Sequence, residues 1–203
     1  MFRTMTFAAA ALAMAAAPLA AQAGLPIPVG VEVHAGASIP SGTWKDHAKS
    51  GFDYGAAVRY NFAPFFGVYA GYDARNFDLE PAALPNGVES GKVVDSGLRA
   101  GVQLTVPTLG VIPVQPFVEG GALFNTTKYE YTANTVTDIF TSNLGLGYEV
   151  GGGLAMRIVP RVSIVPEVRY RSFKPGFDAQ DQQFVSAERI SALSLDIGVR
   201  VRP

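Results

Sequence analysis

Apolar and polar residues alternate along most of the chain, in eight separate segments: 29–38, 51–62, 65–75, 94–106, 114–125, 144–158, 161–171 and 190–201. Successive side chains of a strand point to opposite faces, so each segment predicts a strand with one apolar and one polar wall. The segment 161–171 shows the pattern most clearly. Val162, Ile164, Pro166, Val168 and Tyr170 form one face, and Arg161, Ser163, Val165, Glu167, Arg169 and Arg171 the other. The connections alternate as well. Those at 39–50, 76–91, 126–142 and 174–188 are long and polar, whereas Ala63-Pro64, 107–113 and Val159-Pro160 are short and marked by proline. An up-and-down meander gathers all the long connections at one end of the sheet and all the short ones at the other, the asymmetry of membrane-spanning barrels.

Residues 1–23 stand apart from this pattern. Arg3 supplies a small positive start, Phe7 to Ala17 is an Ala-rich apolar run, and Ala21-Gln22-Ala23 fits a small-residue cleavage site. A secretory signal peptide is expected, cleaved after Ala23, with one domain over 24–203. Beyond Ala23 no window holds the ~20 apolar residues a spanning helix needs, so contact with a membrane requires a closed barrel. The formal net charge is −1, and loss of Arg3 makes it −2. Neither value points to nucleic acid. The chain has no cysteine, which removes disulfides, thiolate metal sites and a cysteine nucleophile.

Alternation does not by itself say which face is inside, because a soluble ligand-binding barrel encloses its apolar face. Three features favour a polar interior. Glycines crowd the polar face, as a narrow filled lumen requires and a solvated strand face does not. That face carries eight acids, Glu32, Asp53, Asp73, Asp95, Glu119, Glu149, Glu167 and Asp196. It also carries seven arginines, Arg59, Arg75, Arg99, Arg157, Arg169, Arg171 and Arg200, but no lysine. Arginine suits desolvated pairs because its planar fork grips carboxylates with two parallel bonds. Finally, Phe62, Phe66, Tyr72, Tyr148 and Tyr170 lie near strand ends on the apolar face, as an interfacial aromatic girdle would. Eight strands leave an interior that side chains can fill. Those fifteen residues are therefore expected to form a structural ion-pair network that plugs the lumen. Folding 144–158 back through Val159-Pro160 predicts a bridge from Glu149 to Arg169 or Arg171.

Pro116-Phe117-Val118-Glu119-Gly120-Gly121, Gly151-Gly152-Gly153-Leu154 and Pro166-Glu167-Val168-Arg169-Tyr170-Arg171 resemble the outer-membrane β-barrel domain family, the small eight-stranded OmpA/OmpX-like barrels. The resemblance spans about 24–203. It implies an all-β fold, an eight-stranded antiparallel up-and-down transmembrane β-barrel in the cell outer membrane. Two departures stand out: the chain ends Val201-Arg202-Pro203 where such barrels usually carry an aromatic, and no peptidoglycan-binding domain follows.

Catalytic chemistry is sparse. His34 sits on the inward face of the first segment and His47 in the first long connection, so no two-histidine metal cluster forms. His47 with Ser41 or Ser50 would be needed for a lipid-modifying enzyme, and reads better as ordinary loop composition. Gly151-Gly152-Gly153 lies within a strand and cradles no phosphate. Asp178, Asp181 and Glu188 lack EF-hand spacing. No cofactor, metal or catalytic residue is expected. The expected role is structural or surface-interacting, as a monomer embedded in outer-membrane lipid, with an extracellular ligand or partner left open at the four long connections. A small channel and a lipid-modifying enzyme are the alternatives.

Overall fold

The computed structural model describes residues 29–85, 87–106, 113–133, 136–177 and 188–202. Among the described residues nine strands form: β1 (Val29–Pro40), β2 (Gly51–Ala63), β3 (Phe66–Asp78), β4 (Ser90–Thr105), β5 (Val114–Ala133), β6 (Val136–Thr141), β7 (Gly145–Val159), β8 (Val162–Phe173) and β9 (Ile190–Val201). All pairings are antiparallel. Every strand except β6 has two neighbours around the ring, and the ring closes where β1 pairs with β9, with His34 opposite Gly198. The result is the expected eight-stranded up-and-down barrel, with β6 as an addition that pairs only with β5. The proposed signal peptide, the 107–112 part of one short turn, and Asp178 and Asp181 lie outside the described residues.

Side-chain parity follows the sequence pattern. Leu146 (68% exposed) and Ile197 (66%) stand on the outer wall, while Glu32, Asp53 and Arg169 on the inner wall are fully buried. A closed sheet with an apolar outside can face lipid, because all ring strands pair their backbone groups internally. Rings gather at the outer strand ends. At the short-turn end Tyr60 stacks on Phe62, which meets Phe66 edge-on, and Tyr148 meets Tyr170 at 6.3 Å near the other.

The strands are longer than the alternation suggested, and the difference lies at one end. β3 continues to Asp78, β4 starts at Ser90, and the stretch 126–142, expected to be a polar loop, folds largely as a β5–β6 hairpin. Its threonines, tyrosines, Val136 and Ile139 have high strand propensity, which the polarity of the stretch conceals. Here the two walls exchange character. Along β5 the outer residues pass from Val118 and Phe124 to Lys128 and Glu130, and the inner ones from Glu119 and Asn125 to Tyr129 and Tyr131. The switch marks where the sheet leaves the apolar band.

Candidate functional site: the barrel lumen and its mouth

The lumen is filled in layers. At the short-turn end Phe117, Ala155 and Val165 make a small apolar floor. Above it lies the charged layer, assembled from every strand of the ring. Arg59 of β2 donates to Glu119 (2.6 Å), Gln103 (2.6 Å) and Glu32 (3.0 Å), and Arg200 of β9 donates to the other oxygen of Glu32 (2.7 Å). Arg99 reaches Asp73 (2.8 Å), Glu119 (3.3 Å) and Glu149 (3.4 Å). Arg169 donates to Asp196 at 2.6 Å and also lies 3.1 Å from Glu167. Arg75 pairs with Asp95, which also accepts from Asn125 (2.7 Å).

Arg171 is a second hub. It donates to Asp73 (2.5 Å), Asp53 (3.1 Å) and Glu149 (3.2 Å). Glu149 stands opposite Arg171 in the β7–β8 register, while Gly151 stands opposite Arg169. Of the two partners expected for Glu149, Arg171 is the one it meets.

Fourteen of the fifteen expected lumen residues are therefore brought together, and Arg157 is not. Arg157 has inward parity, but it lies at the β7 end next to the register shift before the Pro160-Arg161 turn and is exposed. Parity fixes the face of a residue and not its height in the barrel. Other inward residues join without having been singled out. The Tyr69 hydroxyl donates to Glu149 (2.6 Å), and its ring lies between the guanidiniums of Arg59 and Arg99, both 5.2 Å from the centroid. Gly101 and Gly121 leave room for it, since a Cβ on either would fall 2.6 Å from the Tyr69 oxygen.

At the long-connection end the filling turns apolar. Trp44, Ala48, Phe77, Leu79, Val93, Tyr129, Phe173, Phe177, Ile190 and Ala192 form one buried cluster, with Leu84, Tyr131 and Phe140 packed against it. Backbone bonds stitch the connections over it, among them Lys49 N–H to the Asp78 carbonyl, Glu80 N–H to the His47 carbonyl, and Glu89 N–H to the Thr132 carbonyl. The signal for this layer was present in the sequence. Phe77, Val93, Tyr129, Phe173 and Ile190 continue the inward parity of Arg75, Asp95, Asn125, Arg171 and Asp196. Burial pushes the phenols of Tyr129 and Tyr131, beyond the apolar band, above their ordinary pKa. His47 donates from Nδ1 to the Thr43 carbonyl (3.0 Å) and lies 3.4 Å from Glu188. No hydrogen bond links His47 to Ser41 or Ser50 among the described residues.

A family profile for the outer membrane protein beta-barrel domain matches residues 6–201. The chain belongs to this family. Its place is the outer membrane, with the barrel wall against lipid. Solved structures agree on the fold. Neisserial surface protein A is 17% identical, with 87% of this chain and 97% of that one covered, at a TM-score of 0.60. A major outer membrane protein from Thermus thermophilus is 15% identical over 85% of this chain and 98% of its own, at 0.53. Ail, the attachment invasion locus protein of Yersinia pestis, is 14% identical over 87% and 99%, at 0.50. A search of the curated proteins gives no match. At these identities the likeness concerns the fold alone.

Proposed function

We propose that this member of the family is a non-enzymatic, monomeric structural and surface-interaction barrel. Its lumen is plugged by the ion-pair network, and its long connections form an outward-facing contact surface. The observation that carries the plug is the reach of Arg171, which spans from β8 to Asp73 on β3 while also holding Asp53 and Glu149. A guanidinium tied to three separate strands obstructs the lumen at its level. The apolar cluster above seals the mouth a second time. The names of two neighbours, a surface protein and an attachment invasion protein, fit an exposed contact role. Among the described residues no hydrogen bond joins His47 to Ser41 or Ser50, so no assembled histidine–serine pair speaks for catalysis there.

Reconstitution into planar bilayers tests the plug. No stable step of porin size is expected, and a sustained ohmic conductance would overturn the reading in favour of a channel. Incubation of the folded protein with labelled phospholipid and lipopolysaccharide tests the absence of catalysis, and turnover of either would overturn it.

A further inference from the structure

With Arg157 outside the network, acids outnumber arginines in the lumen by two rather than one. Among the described residues, the buried carboxylates are Glu32, Asp53, Asp73, Asp95, Glu119, Glu149, Glu167 and Asp196. The buried guanidiniums are Arg59, Arg75, Arg99, Arg169, Arg171 and Arg200. Eight carboxyl groups against six guanidiniums put the acids two in formal excess in a buried interior, where an uncompensated charge is costly and a proton or a further cation must offset it.

Three of these acids, Asp53, Asp73 and Asp196, each leave one oxygen without a hydrogen-bond partner, and they lie close together. On β1, Gly36 stands between Asp53 of β2 and Asp196 of β9, and His34, two residues along, projects into the lumen beside them. Asp53 uses Oδ2 to accept from Arg171 (3.1 Å) and Ser194 (2.8 Å), and Asp196 uses Oδ2 to accept from Arg169 (2.6 Å). The Oδ1 atoms of both, and that of Asp73, have no hydrogen-bond partner. Neither ring nitrogen of His34 has one either, although the side chain is only 1% exposed. Nε2 lies within ion-pair range of both Asp73 Oδ1 (2.9 Å) and Asp53 Oδ1 (3.7 Å). One imidazole nitrogen and the carboxylate oxygens of Asp53 and Asp196 lie within 4.8 Å of one another. The space they face is kept open by glycine: a Cβ on Gly36 would collide with Asp196 Oδ1, and one on Gly55 with Asp73 Oδ1.

We infer that His34, Asp53 and Asp196, with Asp73 as a fourth donor, form a structural site for one divalent transition-metal ion of the zinc type. Ligand bonds of about 2.0–2.2 Å to a shared ion separate tetrahedral donors by roughly 3.4 Å, a value bracketed by the 2.9 and 3.7 Å from His34 Nε2 to Asp73 and Asp53. A nitrogen-containing set favours zinc over magnesium, which takes oxygen donors and keeps its waters. Arg169, Arg171 and Ser194 hold the outer oxygens and orient each carboxylate with its free oxygen inward, as outer-shell partners of metal ligands do. The site closes only when β9 joins β1, so the ion enters with folding.

The full chain, refolded into detergent micelles with Zn2+, with Mg2+ or with EDTA and then freed of loosely held ion, gives a direct count by mass spectrometry. About one Zn2+ per folded barrel is expected, with Mg2+ no higher than the EDTA sample. At equal free Zn2+, His34→Ala and Asp196→Asn should lower retention on the order of tenfold or more. His47→Ala, which removes the exposed histidine beside Glu188, should leave it unchanged. Folding of each variant is checked by its heat-dependent gel mobility. X-ray absorption on the zinc-loaded wild type should show a mixed nitrogen and oxygen shell, a result that does not depend on any variant folding. A wild-type barrel that retains no more Zn2+ than its EDTA control would overturn the assignment. So would zinc lost from His47→Ala and kept by a folded His34→Ala, because the ion would then belong to the surface.

Discussion

The middle of the lumen and its mouth are filled by the same inward parity, yet they hold together by opposite means. In the middle, Arg169 and Arg171 are wholly buried and are matched by carboxylates from several strands. At the mouth, a few residues along the same strands, Phe173 and Ile190 are wholly buried and are matched by other apolar groups. A charged filling is specific and intolerant, since each member removed strands its partners without water or counter-ion. An apolar filling depends on area and volume and can partly collapse into a gap. The same barrel therefore has one layer in which identity matters and one in which size matters.

The largest expected effect is in the charged layer. Arg169→Ala leaves Asp196 without its guanidinium and Glu167 with only Arg59 at 3.8 Å, and a loss of about 3–5 kcal/mol is expected, read as a shift in the urea midpoint for folded barrel in detergent. If the variant unfolds at the wild-type midpoint, the charged layer is not the specific one. Ile190→Ala in the mouth should cost roughly 2–3 kcal/mol, toward the low end for a buried aliphatic, because connections rather than ring strands roof the site. An Ile190 effect equal to that of Arg169 would erase the distinction between the layers.

Alkali separates the layers by a different route. The unfolded phenol of Tyr129 ionises near pH ~10, and its folded pKa is higher because the neutral form is buried. Stability from this group is therefore complete below about pH 10 and falls as pH rises past it, with a slope on the order of 1 kcal/mol per pH unit. Trp44, the one tryptophan, meets Tyr129 edge-on at 6.5 Å and should report opening of the mouth by fluorescence. Tyr129→Phe should reduce the alkaline loss and leave the part that Tyr131 contributes, and an unchanged profile would place its origin elsewhere. The smallest effect belongs to the outer hairpin. Thr132→Ala breaks a solvent-exposed contact to the Thr137 hydroxyl (3.1 Å) and should change the midpoint by about 0.5 kcal/mol or less.

The ring itself was legible because a period of two persists over ten or more residues in each segment, and the Pro160 turn set the β7–β8 register almost by reflection. Glu149 consequently stands where reflection put it. Height was not legible. Arg157 and Arg169 have the same parity and residue type, and only their distance from the short turn makes one exposed and the other buried. The mouth was obscured for a related reason: inward parity runs unbroken from Arg75 to Phe77 and from Asn125 to Tyr129, but the outer wall turns polar there, and the segments read as loop. The setting of His34 depends on β9, and the seam register that puts Asp196 beside it follows from closing the ring, which no local pattern encodes.

That seam has a consequence for assembly. Glu32 is held by Arg59 from the next strand and by Arg200, which lies 168 positions away in the chain. Asp53 likewise waits for Arg171, 118 positions on. Pairings of such long range come late, because loop closure must precede them. Until β9 meets β1, the inner wall is an open sheet with part of its charge unneutralised, and lipid gives such charges no partner. The nascent barrel must therefore curl around water, and that water leaves in the same step that zips the seam. Insertion, drying of the lumen and final charge pairing are then a single late event, and any defect in the β1–β9 register would trap a wet, half-inserted sheet.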